Sequence, residues 1–247
     1  MRPLSIGLGR RIPIANRKSQ IANRQSPQEL MQKTSILFAA AVLVPLLSYS
    51  ADYNLGELAR SNKIEVFNRT PDQAKAGAPE VVFLNAAAND GLAWIDGVEL
   101  SEGTIELEIK GKNQPGRSFV GIAFHGQDNQ TFDAVYLRPF NVQAPVEDRR
   151  SHSIQYVSMP GHDWSNLRNN HPGKYESALT PAPAPESWVT LKLVLEGKIL
   201  SAFVNGSDKP ALTIELLNDR LDGKVGLWVG NGSDGWFRNL KVTPASN

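Results

Sequence analysis

The chain has 247 residues, a formal net charge of +1 and no cysteine. Without cysteine, disulfides, thiolate metal sites and a cysteine nucleophile are excluded. Residues 1–50 hold seven of the 26 basic and one of the 25 acidic residues, so residues 51–247 keep 19 basic and 24 acidic ones, a net charge of −5. A mildly acidic domain is a poor candidate for nucleic-acid binding.

Residues 31–50 have the pattern of a secretory signal peptide. Lys33 supplies the positive start, residues 36–47 form the apolar core, and Ser48 and Ser50 occupy the positions where a signal peptidase prefers small residues. We expect cleavage after Ser50 and export to the periplasm or out of the cell. The alternative is a membrane anchor, but the apolar run is short for a bilayer, so we expect no membrane span.

Residues 1–30 are basic, lack a periodic apolar face and contain IANRKSQIANRQS, a near-exact tandem repeat. A signal peptide normally begins at the initiator methionine. Our hypothesis is therefore that translation starts at Met31 and that residues 1–30 are a mis-assigned extension. A disordered basic tail is the alternative. The 197 residues that follow Ser50 suit one domain, residues 51–247.

Alternation with a period of two residues dominates this domain and indicates β-strands. In TIELEIKG (104–111), isoleucine and leucine alternate with charged residues. Asn205-Gly206 is a strong turn signal, because both residues tolerate positive φ. No long stretch has a convincing helical period, so the pattern predicts an all-β sandwich or barrel. Further strands are predicted within residues 188–216, 223–232 and 236–244.

Residues 159–187 break this rhythm over nearly thirty residues. Loops of this length in compact domains are usually functional or disordered. The segment ends in alanine-proline repeats at 181–185, which favour a stiff connector. The part before the repeats contains Trp164, Tyr175 and two histidines. Disordered linkers are rarely so aromatic, so we expect an ordered binding loop.

The stretch FHGQDNQTFDAVYLRPFN (124–141) carries an unusual density of polar and aromatic side chains for one hairpin. Strand parity places Val120, Ile122 and Phe124 on the core face. The opposite face begins with small residues, which leave room for a ligand. The residues expected on that open face are His125, Tyr136, Arg138 and Gln155, and those expected to arrive from the loop are His162, Trp164 and Arg168.

This set of side chains suits a sugar. Aromatic rings stack on the apolar faces of pyranose rings, while arginine and glutamine hydrogen-bond to hydroxyls. We therefore predict Tyr136, Gln155, Trp164 and Arg168 as substrate-binding residues. In the alternative interpretation, Tyr136 and Arg138 are ordinary solvated strand residues.

His125 and Asp128 are also candidate ligands for a divalent metal ion, because imidazole and carboxylate both suit such ions. No tight ligand spacing accompanies them, and a lone histidine at a strand end is more often simply hydrogen-bonded. Glu106 and Glu108 are the nearest thing to a glycosidase carboxylate pair, but they have the pattern of a solvated face. G-x-S-x-G is absent.

Three segments, FVGIAFHGQDNQTFDAVYLRPFN, HSIQYVSMPGHDWSNLRNNHPGKYE and GKVGLWVGNGSDGWFRNLKV, resemble the concanavalin A-like lectin/glucanase superfamily. Within it they resemble the secreted DUF1080 group, linked to hydrolysis or lyase cleavage of 3-keto-glycosides, or LamG-like domains. The resemblance covers most of residues 62–243. It implies an antiparallel two-sheet jelly-roll sandwich. It also implies proton abstraction beside a ketone, with His125 or His162 as the base and Arg138, Arg168 or a bound metal as the electrophile.

Three functions remain open at this point. The first is an exported carbohydrate-processing enzyme of the 3-keto-glycoside type. The second is a non-catalytic sugar-binding module, and the third is an extracellular protein-interaction domain that uses the long loop. The enzyme needs a titratable base within reach of the bound sugar, whereas a lectin needs only stacking rings and hydrogen-bond donors. The expected partner in the first two is an oligosaccharide or glycoside.

Overall fold

A computed structural model describes residues 49–246 of the chain. The predictions for residues 1–30 and for the signal peptide up to residue 48 lie outside this range. The helices are short: α1 Leu55–Arg60, α2 Gln73–Ala76, α3 Glu147–Arg150, α4 Trp164–Asn170 and a 3-10 turn at Pro139–Asn141. None of the helices described between residues 49 and 246 is long and apolar enough to cross a membrane.

Fourteen strands account for most of the regular structure. Their bounds are β1 Ala51–Tyr53, β2 Ile64–Phe67, β3 Val82–Leu84, β4 Gly91–Glu99, β5 Gly103–Lys110, β6 Val120–Gly126, β7 Phe132–Leu137, β8 Ile154–Met159, β9 Glu176–Ser177, β10 Val189–Glu196, β11 Ile199–Val204, β12 Leu212–Glu215, β13 Lys224–Val229 and β14 Gly235–Pro244.

The strands form two antiparallel sheets of seven strands each. The first sheet has the order β1-β14-β5-β10-β11-β12, with β3 also paired to β14. The second sheet has the order β2-β4-β13-β6-β7-β8-β9. The prediction of an all-β, two-sheet antiparallel sandwich is therefore confirmed.

The alternating sequences explain how the first sheet covers the core. In β5, Ile105, Leu107 and Ile109 are buried, while the residues between them are partly exposed. Strand β10 pairs with β5 in register, so that Leu191 and Leu193 lie beside Leu107 and Ile105. Burying a leucine or isoleucine side chain contributes about 1.5–3 kcal/mol, so this face stabilises the whole sandwich.

The second sheet is buried on both faces at its centre. Every residue of β6 and of β7 is buried. One face packs in the core between the sheets, and chain outside the strands lies over the other. A strand covered on both faces reads as a continuous apolar run rather than a clean alternation, which is why FVGIAF shows little polarity.

The long loop of residues 159–187 is an ordered structure beside the second sheet. Helix α4 begins after Asp163, whose carboxylate accepts a hydrogen bond from the Asn166 backbone N–H at 2.7 Å. Such an N-cap stabilises the first helical turn. Strand β9 then pairs with β8 at the edge of the sheet. The loop thus forms one wall over the second sheet.

Candidate functional site

One row of residues crosses five neighbouring strands of the second sheet. Trp228 in β13 pairs with Gly121 in β6, which pairs with Tyr136 in β7. Tyr136 pairs with Gln155 in β8, and Gln155 pairs with Glu176 in β9. Paired residues of antiparallel strands project from the same face. The row therefore sets two aromatic rings, an amide and a carboxylate side by side.

Gly121 allows the two aromatic side chains of this row to meet. The ring centroids of Tyr136 and Trp228 lie 4.7 Å apart. A Cβ atom added at Gly121 would approach the Tyr136 Cα atom to 2.6 Å and would clash with the Val135 carbonyl oxygen. The small residue that we expected to leave room for a ligand instead leaves room for this aromatic pair.

Tyr136, Arg138 and Gln155 form a buried hydrogen-bonded cluster. The Tyr136 hydroxyl donates to Gln155 Oε1 at 3.1 Å and accepts from Arg138 Nη2 at 2.7 Å. Arg138 Nη2 also donates to Gln155 Oε1. Burial raises the pKa of Tyr136 to about 12, although the charge of Arg138 opposes the rise. The phenol therefore stays protonated and acts as a fixed donor and acceptor.

Glu176 is the anionic centre of the site. Its carboxylate accepts from Arg168 Nε at 3.0 Å and Nη2 at 2.6 Å, and it lies 2.8 Å from His152 Nδ1 and 3.7 Å from Arg138 Nη1. Burial alone would raise the pKa of this carboxyl. The hydrogen bond and charge of Arg168, together with weaker contributions from neighbouring groups, outweigh burial and lower it. Glu176 is therefore ionised at neutral pH.

A groove of about 920 Å³ lies over this row. A volume of this order matches the sites that hold small molecules. Trp164 of α4 is 51 % exposed, and the Arg168 guanidinium lies 5.3 Å from its ring centroid. The groove therefore combines stacking surfaces with charged groups. Its lining includes Asp90, Phe119, Tyr136, Arg138, Phe140, Asn141, Asp148, His152, Asp163, Trp164, Arg168, Glu176 and Trp228.

Asp90 lies at the opposite end of the groove from Glu176, just before β4. Burial raises the pKa of its carboxyl, and the charge of Arg69 offsets only part of that rise. Of the four carboxyl groups that line the groove, Asp90 and Glu176 therefore have pKa values displaced in opposite directions, which suits the first to donate and the second to accept a proton.

Our placement of His125 on the open face is wrong. Strand β13 shifts register between Lys224 and Gly226 against β6, and His125 has a positive φ of 50°. This bulge resets the parity, so the imidazole is fully buried, with Nδ1 3.8 Å from Asp133 Oδ2 and Nε2 3.3 Å from the Ser101 carbonyl oxygen. Burial lowers the pKa of His125, and Asp133 offsets only part of that effect. His125 does not line the groove.

His162 and Asp128 also lie away from the groove lining. His162 pairs through its backbone with Ser158 at the start of the loop. Asp128 caps a turn, and its Oδ1 accepts from the backbone N–H groups of Gln130 and Thr131 at 2.7 Å each. Between residues 49 and 246, no three histidine or carboxylate side chains are grouped to hold a metal ion. The geometry therefore does not fit the predicted metal site at His125 and Asp128.

Of the predicted site residues, the structure brings together Tyr136, Arg138, Gln155, Trp164 and Arg168. All of them except Gln155 line the groove, and Gln155 lies just beneath it as the partner of Tyr136 and Arg138.

Sequence reasoning missed Glu176, His152, Asp90 and Trp228. Glu176 lies in a strand of two residues, too short to show alternation. His152 precedes β8, so strand parity does not define its direction. Trp228 offered the one usable signal, because it stands between two glycines in GLWVG at the spacing of one strand face.

The sequence matches no protein-family model, and no curated protein matches it. Solved structures do share its fold. They include the carbohydrate-binding module CBM66 from Bacillus subtilis, with a TM-score of 0.52 and 14 % identity, covering 73 % of this chain and 95 % of that chain. A second is a protein of unknown function with a galectin-like fold from Bacillus subtilis, with a TM-score of 0.54, 14 % identity and coverage of 80 % and 96 %.

A third structure, that of a native glycosidic hydrolase, has a TM-score of 0.51 and 11 % identity, covering 79 % of this chain and 96 % of that chain. At identities this low, the likeness shows the fold alone. The concanavalin A-like sandwich expected from the sequence is therefore confirmed as a fold.

Proposed function

We propose that this sandwich binds carbohydrate in the groove of the second sheet. The observation that carries the proposal is a groove whose lining combines the half-exposed ring of Trp164 with the charged side chains of Arg168 and Glu176. Rings offer surfaces for the apolar faces of a sugar, and fixed polar groups set its orientation. That a carbohydrate-binding module has the same fold supports this proposal.

Titration calorimetry of the purified protein with a panel of gluco-, galacto-, manno- and fructo-oligosaccharides tests the proposal. Trp164→Ala removes a ring that is already 51 % exposed, so it should leave the fold intact. We expect it to weaken sugar binding by about tenfold, which corresponds to ~1.4 kcal/mol. Phe67→Ala is the matched control, because Phe67 is 40 % exposed on the edge strand β2 and does not line the groove.

Equal affinity in both variants would contradict binding in this groove. If no glycan of the panel binds, carbohydrate recognition fails as a proposal, and the wall formed by residues 159–187 becomes a candidate surface for a protein partner.

A second candidate function is cleavage of 3-keto-glycosides in the same groove. Trp228 and Glu176 are four strand spacings apart, roughly 19 Å between their Cα atoms at about 4.8 Å per spacing. Asp90 lies one strand further from Glu176 than Trp228 does. The separation of Asp90 and Glu176 therefore exceeds the roughly 5–9.5 Å between the two carboxyl groups of a glycosidase. Hydrolysis by that pair is disfavoured, whereas an elimination beside a ketone needs one base, and His152 lines the groove.

Incubation with glycosides and with their 3-keto forms separates these functions. Release of the aglycone from the 3-keto forms alone supports cleavage by elimination. Binding without release supports a sugar-binding module. Parallel reactions with a divalent metal and with a chelator determine whether turnover depends on a metal.

We also propose that the protein is exported after cleavage of residues 31–50. Strand β1 begins at Ala51, so cleavage after Ser50 would leave every described strand intact. The hydrogen bond from Thr243 to Ser50 at 2.9 Å would be lost. N-terminal sequencing of the protein from its native cells should begin at Ala51. A first residue within 1–30 would contradict both the cleavage and a start at Met31.

A further inference from the structure

The two ring nitrogens of His152 have different surroundings. Nδ1 is buried and lies 2.8 Å from Glu176 Oε2, a close charge contact that is not aligned as a hydrogen bond. Nε2 is on the side of Asp148, 3.8 Å from its Oδ1, and the Asp148 side chain is largely exposed. Both His152 and Asp148 line the groove. One nitrogen therefore faces a fixed carboxylate, and the other faces the region that a ligand would occupy.

This placement determines which nitrogen carries the proton in the neutral ring. Glu176 is ionised, because Arg168 and its neighbours lower the pKa of its carboxyl against the effect of burial. A carboxylate oxygen 2.8 Å away favours the N–H form of Nδ1, because an unprotonated Nδ1 would bring a partial negative charge close to that oxygen. Nδ1 therefore holds the hydrogen, and Nε2 holds the lone pair. This is the tautomer in which an imidazole works as a base through Nε2.

The position of His152 is fixed at both its backbone and its ring. Its carbonyl oxygen accepts from Arg138 Nη1 at 3.0 Å and from Asn141 Nδ2 at 3.3 Å. Glu176, which holds the ring, is itself held by the two hydrogen bonds from Arg168. Catalytic groups need supports of this kind, because small displacements of a reacting group cost large factors in rate.

We propose that His152 is the proton-transfer residue of the groove and that Glu176 is its positioning residue. This inference rests on the proposed cleavage of 3-keto-glycosides. Nε2 takes the proton from the carbon between the ketone and the anomeric carbon, and the electron pair of that C–H bond forms an enolate. As the enolate re-forms the ketone, a double bond forms between the deprotonated carbon and the anomeric carbon, and the glycosidic oxygen leaves with the pair of its broken C–O bond. The leaving oxygen regains a proton from the imidazolium, so no oxidant or reductant is needed.

His152→Gln tests the proton transfer, with methyl 3-keto-glucosides of both anomeric configurations as probes. We expect kcat to fall by about 10²–10⁴-fold, the usual contribution of a general base, with little change in KM. His171→Gln is the control, because His171 is exposed and lies outside the groove lining, with its ring against Tyr175. Wild-type kcat in His152→Gln, or sugar binding by the wild type without any release, would overturn the inference.

The positioning role has its own readout, which needs no substrate. Nitrogen-15 NMR of the histidine rings should show the Nδ1–H tautomer of His152 in the wild type and a mixture of tautomers in Glu176→Gln. An Nε2–H ring in the wild type would overturn the role of Glu176. The NMR result does not depend on sugar binding. An Nε2–H ring would therefore count against the inference alone, whereas a protein that binds no glycan would count against the proposed function.

Discussion

Replacing Glu176 by glutamine should destabilise the protein far more than replacing a surface carboxylate. The substitution keeps the size of the side chain and removes its charge. Arg138, which is 4 % exposed, then loses its nearest anion, and Arg168 loses a carboxylate that it contacts through two nitrogens. Removing one partner of a buried ion pair costs about 3–5 kcal/mol. We expect the lower end, about 3 kcal/mol, because Arg168 keeps partial access to water.

Urea denaturation at neutral pH measures this difference, and thermal melting should show a fall in Tm of roughly 6–12 °C for a domain of this size. Asp96→Asn is the control. Asp96 pairs with Lys63 at 3.0 Å, but both side chains are 58 % exposed. An exposed pair contributes little, so this variant should stay within about 0.5 kcal/mol of the wild type. Equal destabilisation by the two variants would refute the reasoning.

The same comparison predicts a dependence on pH. The pKa of Glu176 in the folded protein lies below its ordinary value of 4.5. A lowered carboxyl pKa means that the unfolded chain binds the proton more tightly, so the stabilisation is complete above the ordinary value and is lost as the pH falls through the lowered one. The stability gap between the wild type and Glu176→Gln should therefore shrink in acid. A constant gap from neutral pH to strong acid would contradict this sign.

The remaining predictions separate the core from the groove. Tyr156→Phe removes a buried hydroxyl that donates to Asp133 at 2.5 Å, so unfolding should become easier by roughly 1–3 kcal/mol while calorimetry finds unchanged sugar affinity. Gly121→Ala places a Cβ atom against the backbone of Tyr136, so near-UV circular dichroism of the ring pair should change and stability should fall by about 1–3 kcal/mol. Gly206→Ala, which meets no atom within 4 Å, should cost only the strain of its positive φ, about 1 kcal/mol. A lost affinity in Tyr156→Phe, or an unchanged spectrum in Gly121→Ala, would contradict these assignments.

Much of the fold could be predicted because local patterns determine it. Alternation predicted β5 and the three strands between residues 188 and 216. The Asn205-Gly206 signal predicted the turn between β11 and β12, where both residues have positive φ. That Tyr136 faces the groove followed from the same parity. These features depend only on neighbours in sequence, which a period of two residues encodes directly.

The rest of the site depends on contacts that no local pattern encodes. The bulge that buries His125 arises from the pairing of β6 with β13, about a hundred residues further along the chain. Glu176 enters the site because a strand of two residues pairs with Gln155 at the sheet edge. Its importance comes from two arginines and a histidine that approach from other elements. The residue types can be read from the sequence, but only the strand pairing defines which of them meet.

His125 and His152 show how burial, rather than residue type, separates a structural histidine from a candidate base. The His125 ring is completely enclosed, with a carboxylate beside one nitrogen and a carbonyl oxygen beside the other, so neither nitrogen is open to a ligand. Burial also lowers the pKa of His125, which keeps it neutral in the core. His152 has one nitrogen against Glu176 and the other beside an exposed side chain of the groove. A base must reach the proton that it removes, so of these two rings only His152 meets the geometric requirement.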